Sequence, residues 1–274
     1  MKISIVYPEQ FNMFYFHLAN AFKDCLEQLN HEVKIIHNVL SESDLEFNLC
    51  PLHYGLFEKK KKIYLMVQME QFPTQFCSNG WQQHKWNMTK SFLHLYDTVW
   101  DTYYEFHKEL YAEHPVCDFK LGYHPSFDFY QDVVKNKDAS FFGSISDRRR
   151  NILSKLNVVG ESSITDENRI NLINRTKVSL NIHYSDSALL ESLRVIVFLL
   201  SNQAFVLTED FLGDDDLKKY VVIANEHDFS SKIDYYKNND NERNKIANEG
   251  YQYLKTERTL FQSIKKNMEK IWKI

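Results

Sequence analysis

Apolar positions along this chain follow two alternating rhythms. Residues 2–7 (KISIVY) form a short β-branched run of the kind that fills a buried parallel strand, and Pro8 stops it. Phe14, Leu18, Ala21, Phe22, Cys25, Leu26 and Leu29 then recur at intervals of three and four, the buried face of an amphipathic helix. Residues 31–37 form a second strand, so the chain opens β-α-β, the signature of a parallel sheet. Strands at 45–50, 62–68, 98–100 and 118–121, with helices at 80–95 and 103–114, continue the alternation. Residues 123–138 are polar, contain Pro125 and lack periodicity, which predicts a linker.

A second alternation follows. It predicts strands at 139–142, 158–159, 177–182, 204–208 and 220–224, with helices at 148–156, 166–175 and 188–201. The tail is helical at 228–238, 241–254 and 259–272, and the last helix carries Leu260, Ile264, Met268 and Ile271 on one stripe. The prediction is an α/β chain of two halves with a cleft between them, 1–125 and 126–256, followed by a separate helix at 257–274.

Composition narrows the chemistry. With 43% hydrophobic and 26% charged residues, 20 Phe and 16 Tyr, the chain is ordinary globular protein. The net charge of −4 gives no general attraction for nucleic acid, so a local basic face such as Lys59 to Lys62 would have to supply one. In that context the lysine run reads more simply as a solvated loop. Cys25, Cys50, Cys77 and Cys117 form no C-x-x-C pair and no zinc spacing, which points to reduced thiols. No apolar run resembles a signal peptide or reaches membrane-spanning length, and the expected location is cytoplasmic. Seven glycines make no G-x-G-x-x-G or Walker loop, and there is no G-x-S-x-G elbow, H-E-x-x-H or calcium loop. Asp214 to Asp216 read as a solvated acidic loop.

Three places attract attention. Gly143 ends a strand and opens Ser144-Ile-Ser-Asp-Arg-Arg-Arg150, where a small residue admits a ligand to the backbone and a helix start offers free N–H groups to an anion. Arg148 and Arg149 add guanidinium forks suited to phosphate oxygens, although a Ser-capped helix with solvated arginines would be written in the same letters. Glu191 and Arg194 lie one turn apart at a predicted helix start between two buried strands. A carboxylate there could accept ribose hydroxyls beside a basic group for phosphates, and the bland counterpart is a surface ion pair. His183 ends its strand toward the same place. In the first half Glu9, Glu70 and Asp101 follow buried strands, where a carboxylate can act as a general base or simply cap the next helix. No metal-ligand set stands out.

Taken in order, Lys120-Leu-Gly-Tyr-His-Pro125, Ala139-Ser-Phe-Phe-Gly-Ser-Ile-Ser-Asp-Arg-Arg-Arg150, Val178-Ser-Leu-Asn-Ile-His-Tyr184, Glu191-Ser-Leu-Arg194 and Ala204-Phe-Val-Leu-Thr-Glu-Asp210 resemble the group 1-like glycosyltransferases of GT-B fold, including the spore-maturation-protein-like branch. Met69-Glu-Gln71 and Val99-Trp-Asp101 resemble strand ends of that branch's first domain. The resemblance implies two Rossmann-like domains facing a cleft, with the last helix crossing back to the N-terminal domain. It also implies a nucleotide-diphosphate sugar held by the C-terminal domain, a hydroxyl acceptor held by the N-terminal one, and no cofactor or bound metal. Gly143, Ser144, Arg148 and Arg149 would meet the diphosphate, and Glu191, Ser192, Leu193 and Arg194 the ribose and phosphates, beside His183 and Tyr184. Glu70, then Glu9 and Asp101, would be the acid/base candidates. Leu199 stands eight residues beyond Glu191, where the family has a second glutamate, and Pro8-Glu-Gln-Phe replaces its first glycine-rich loop. Two other functions fit the same fold: a degenerate nucleotide-sugar-binding or scaffold protein, and a glycosyltransferase acting on modified DNA.

Overall fold

The computed structural model describes residues 1–9, 12–37, 42–49, 63–69, 80–162, 164–186 and 188–271. Contacts divide the chain into two units, Met1–Leu121 with Leu260–Ile274, and Gly122–Thr259.

In unit one, β1 (Lys2–Val6), α1 (Asn12–Gln28), β2 (Glu32–Ile36), β3 (Leu45–Asn48), β4 (Ile63–Gln68), α2 (Gly80–Phe92), β5 (Thr98–Asp101), α3 (Tyr104–Tyr111) and β6 (Val116–Asp118) follow one another. The strands form a parallel sheet in the order β2-β1-β3-β4-β5-β6. The order reverses between β1 and β3. Both faces of such a sheet are covered, which is why β3 and β5 are buried at every position. An aromatic cluster fills one side: Trp100 stacks on Phe119 at 5.3 Å and meets Phe47 edge-on at 5.1 Å, while Phe22 of α1 touches both Phe47 and Phe119. Each such pair adds about 1 kcal/mol beyond the area it buries.

Unit two contains β7 (Lys137–Phe142), α4 (Asp147–Lys155), β8 (Gly160–Glu161), α5 (Asp166–Arg175), β9 (Thr176–Asn181), β10 (Val206–Glu209), β11 (Val222–Ala224), α6 (Phe229–Asn238) and α7 (Asp240–Glu257). Its parallel sheet runs β11-β10-β9-β7-β8, with the reversal between β7 and β9. Phe141, Val178, Leu180, Ile182, Phe205 and Leu207 form its core. α8 (Leu260–Ile271) belongs to unit one and packs on α1, burying Leu260, Ile264, Met268 and Ile271. Ser263 and Asn267 donate to the carbonyls of Lys120 and Asp118 at the end of that unit's sheet.

Four expectations change. Residues 123–136 are no free linker: Phe127 is fully buried, the Asn202 amide accepts from the Phe129 N–H, and the Asn174 amide accepts from Gln131. The edge strand lies at Gly160–Glu161 because Gly160 and Glu161 pair with Phe141 and Phe142, leaving Val159 84% exposed. Asp214 is not solvated, since Arg258 grips its carboxylate with two bonds of 2.6 and 2.7 Å. The helix expected at 188–201 starts only at Ser192, with Leu193–Leu199 in a π-helical winding. Ala188 takes a left-handed φ of 56°, its carbonyl accepts from the Leu212 N–H and the Leu190 N–H donates to the Leu212 carbonyl, and these contacts keep the segment out of the helix. No helix among the described residues is long and apolar enough to cross a membrane.

Candidate donor site

In an open α/β sheet the strand order reverses at one point, and the loops there diverge to leave a crevice at the carboxyl ends of the strands. In unit two that point lies between β7 and β9, and the segments leaving these strands are Gly143 to Ser146 and Ile182 to Ser185. Ser146 joins them. Its hydroxyl caps α4 by accepting from the Arg149 N–H at 3.2 Å, and it donates to the Tyr184 carbonyl at 2.9 Å. Gly143 has a φ of 122°, and a Cβ there would stand 2.5 Å from Arg194 Nη2. The glycine is therefore explained by a packed arginine, whereas the sequence suggested room for a ligand. Among the described residues, the N–H groups of Ser144, Ile145, Ser146, Asp147 and Arg148 have no partner. A row of free N–H groups at a helix start carries a positive partial charge.

The three arginines are already engaged. Arg148 holds both oxygens of Glu209, at 2.6 and 2.9 Å, and Asp186 at 2.7 Å. Its hydrogen bonds to Glu209 push its pKa above the usual guanidinium range. Arg149 is 1% exposed and donates to the Ile182 carbonyl, the Ser144 carbonyl and Glu191 Oε1 at 2.9, 2.7 and 2.5 Å. Arg194 donates to Asn181 Oδ1 at 3.0 Å, with Glu191 Oε2 3.7 Å away. Phe141 lies against both buried guanidinium groups, at 5.1 Å from Arg149 and 4.7 Å from Arg194. Burial pushes the Arg194 pKa down to about 10 against the pull of Glu191. Burial alone would raise the Glu191 carboxyl, but Arg194 and Arg149 outweigh it and hold it below its ordinary value. One carboxylate thus serves two buried cations, since an unpaired charge there would be strongly destabilising.

These contacts correct the expected roles. Arg149 and Arg194 do not project as free phosphate forks, and Glu191 precedes the helix where a first-turn position was expected. Ser192 is buried and Leu193 half-buried at the start of the π-helical segment. Tyr184 is 40% exposed, its ring 5.2 Å from the Arg149 guanidinium. His183 is buried; its N–H donates to Glu209 at 2.7 Å, and its Nε2 lies 2.8 Å from the Asp210 carbonyl. A carbonyl only accepts, so Nε2 carries a proton. Beside these residues is a cavity of about 400 Å³, lined among others by Arg148, His183, Glu209, Ala224, Asn225 and Asp228. Among the described residues no group of three or more His, Cys, Asp or Glu stands arranged to hold a metal ion.

The acids of unit one fare differently. Glu9 is exposed just after β1, beside that sheet's own point of reversal. Asp101 has no exposure. It accepts from the Tyr103 N–H at 2.6 Å, bonds His107 Nδ1 at 2.8 Å and takes the Tyr111 hydroxyl, so as an acceptor-side base it is already spent inside the fold. Glu70 and Lys59 to Lys62 lie outside the described residues. The sequence reading missed Glu209, Asn181 and Thr208. The signal for them was a polar letter ending or following an apolar run, at 178–182 and 204–209.

Comparison with known proteins agrees with this architecture. An uncharacterized protein of Acanthamoeba polyphaga mimivirus is 38% identical over 104 residues, and this chain spans about a third of its length, 34%. HepE of Anabaena, solved with UDP and glucose, superposes with a TM-score of 0.66 at 10% identity over 100% of both chains. An alpha-glucosyltransferase, solved with UDP-glucose and DNA containing an abasic site, does so with a TM-score of 0.67 at 8% identity over 99% of both chains. At such identities the likeness is one of fold, two Rossmann-like α/β domains of GT-B type. A family model described as glycosyl transferase-like matches residues 129–268. That match takes in just over half of the 274 residues, and the chain belongs to the glycosyl transferase-like family.

Proposed function

We propose that the chain transfers a sugar from a nucleotide-diphosphate donor to a hydroxyl acceptor, with the donor bound by unit two. The observation that carries this reading is the unpartnered N–H row of residues 144–148 at the point of strand reversal, backed by buried arginines. When the glycosidic bond to the diphosphate breaks, negative charge grows on the leaving oxygens. Oriented N–H dipoles and nearby guanidinium groups stabilise that charge without having to reorganise. Glu191 is 20% exposed at its side chain, which leaves an oxygen edge for ribose hydroxyls while its inner edge holds the arginines. The cavity beside His183 and Ala224 has room for the nucleoside.

The UDP and UDP-glucose in the neighbouring structures support a nucleotide-sugar donor, here a hexose or pentose. The motif order favours the spore-maturation-protein-like branch. Glu70 and Glu9 are the candidates to take the acceptor proton, and Asp101 drops out of that role. Since N–H groups and arginines carry the leaving-group charge, this reading asks for no divalent metal.

Calorimetry against UDP-, GDP-, ADP- and dTDP-sugars is expected to find one that binds, with release of its nucleoside diphosphate unaffected by EDTA. A folded protein that binds none of them sinks the reading. Binding without turnover, unchanged by Glu70→Gln, would assign the chain to a non-catalytic sugar-nucleotide-binding role.

A further inference from the structure

The two central strands of unit two end in a hydrogen-bond chain whose polarity is forced. Asn181 and Thr208 are register partners on β9 and β10, and both are fully buried. The Thr208 hydroxyl has one proton and gives it to the Glu209 carbonyl at 2.8 Å. Its oxygen is left to accept, and Asn181 Nδ2 donates to it at 2.9 Å. The amide is thereby oriented, with Oδ1 turned toward Arg194 Nη1 at 3.0 Å. Flipping it would set donor against donor at Arg194 and acceptor against acceptor at Thr208. Among the described residues this is the one hydrogen bond that the Arg194 guanidinium makes, because Glu191 stands at 3.7 Å.

The consequence reaches the loop after β7. The Arg194 guanidinium lies over the Phe141 ring, 4.7 Å from its centroid, and fills the space where Gly143 has no side chain. Rotating it would move its charge away from the loop that leads into α4.

We propose that Asn181 and Thr208 are positioning residues, fixing Arg194 against Gly143 so that its charge stands behind the diphosphate-binding N–H row. The proposal rests on reading that row as the donor's diphosphate site. Neither residue touches the ligand; both act through Arg194.

Two measurements on the full chain test it. Thr208→Val keeps the shape and removes the hydroxyl, and Thr208→Ser restores it. The first readout is calorimetry with inorganic pyrophosphate and UDP. The second, which needs no ligand, is solvent exchange of the Arg194 side-chain N–H groups followed by NMR. Losing the bond that orients the Asn181 amide toward Arg194 predicts that Thr208→Val binds about ten-fold more weakly and exchanges faster at Arg194. Thr208→Ser should match the wild type in both.

Unchanged Arg194 exchange in a folded Thr208→Val variant overturns the proposal whatever the affinities do. Faster exchange with unchanged affinity overturns the link to binding. A wild-type chain that binds neither pyrophosphate nor UDP overturns the diphosphate reading, while the exchange measurement still decides whether the lock on Arg194 exists.

Discussion

Buried charge is handled in two ways in unit two, and the contrast sets what single residues do. Arg149 and Arg194 share Glu191, whereas the half-buried Lys135 meets only carbonyls among the described residues, donating to those of Asn174 and Thr176 near the end of α5. Burial pushes the Lys135 pKa down to about 8, with Arg243 adding to the effect. An unfolded lysine titrates near 10.4. Between the two values the unfolded chain holds a proton that the folded chain has lost, so stability rises with pH from about 8 to about 10.5. Below pH 8 the buried charge costs up to about 3 kcal/mol. Denaturant unfolding of wild type and Lys135→Met is expected to show the wild type gaining on the variant by up to that amount across this window. A difference that stays flat would mean the amine is solvated. Residue roles of this kind were the least legible part of the sequence. The letters of Arg149 and Arg194 gave basic chemistry, but whether a guanidinium faces solvent or a half-buried glutamate depends on residues brought in from other parts of the chain.

Elements were far more legible, because burial imposes a period. Strands 2–7, 62–68 and 177–182 and helix 166–175 stand close to where the pattern put them. The misses have physical causes. The π-helical segment is buried from Arg194 to Leu199, and an unbroken apolar run carries no phase from which to read its winding. β8 pairs through Gly160 and Glu161, which have no strand-like pattern of their own. α3 ends on Ala112, held at φ 48° and ψ −111°, a conformation that glycine adopts far more readily than alanine. Ala112→Gly is expected to stabilise unit one by about 1 kcal/mol, visible as a higher unfolding midpoint. A lower midpoint would show that the methyl group is worth more in packing than the backbone loses in strain.

At the scale of the whole molecule, the alternation showed two α/β halves and a detached amphipathic helix, and the structure returns that helix to unit one. Unit two is one continuous segment with its own core, sheet and candidate donor site. Residues 122–259 made alone should therefore unfold cooperatively and bind the nucleoside diphosphate within a few-fold of the full chain. If the segment folds yet does not bind, unit one contributes contacts to the donor site.

Unit one has no such independence, because the helix that covers α1 and satisfies the Lys120 and Asp118 carbonyls is encoded at residues 260–271. During synthesis the order of appearance and the order of completion are opposite. The first 121 residues emerge first and then wait for about 150 more, roughly ten to thirty seconds at common translation rates, while unit two can already close. Through that interval the part of α1 that packs on α8 lacks its cover, and this is when a chaperone or a neighbouring nascent chain has its opportunity to bind.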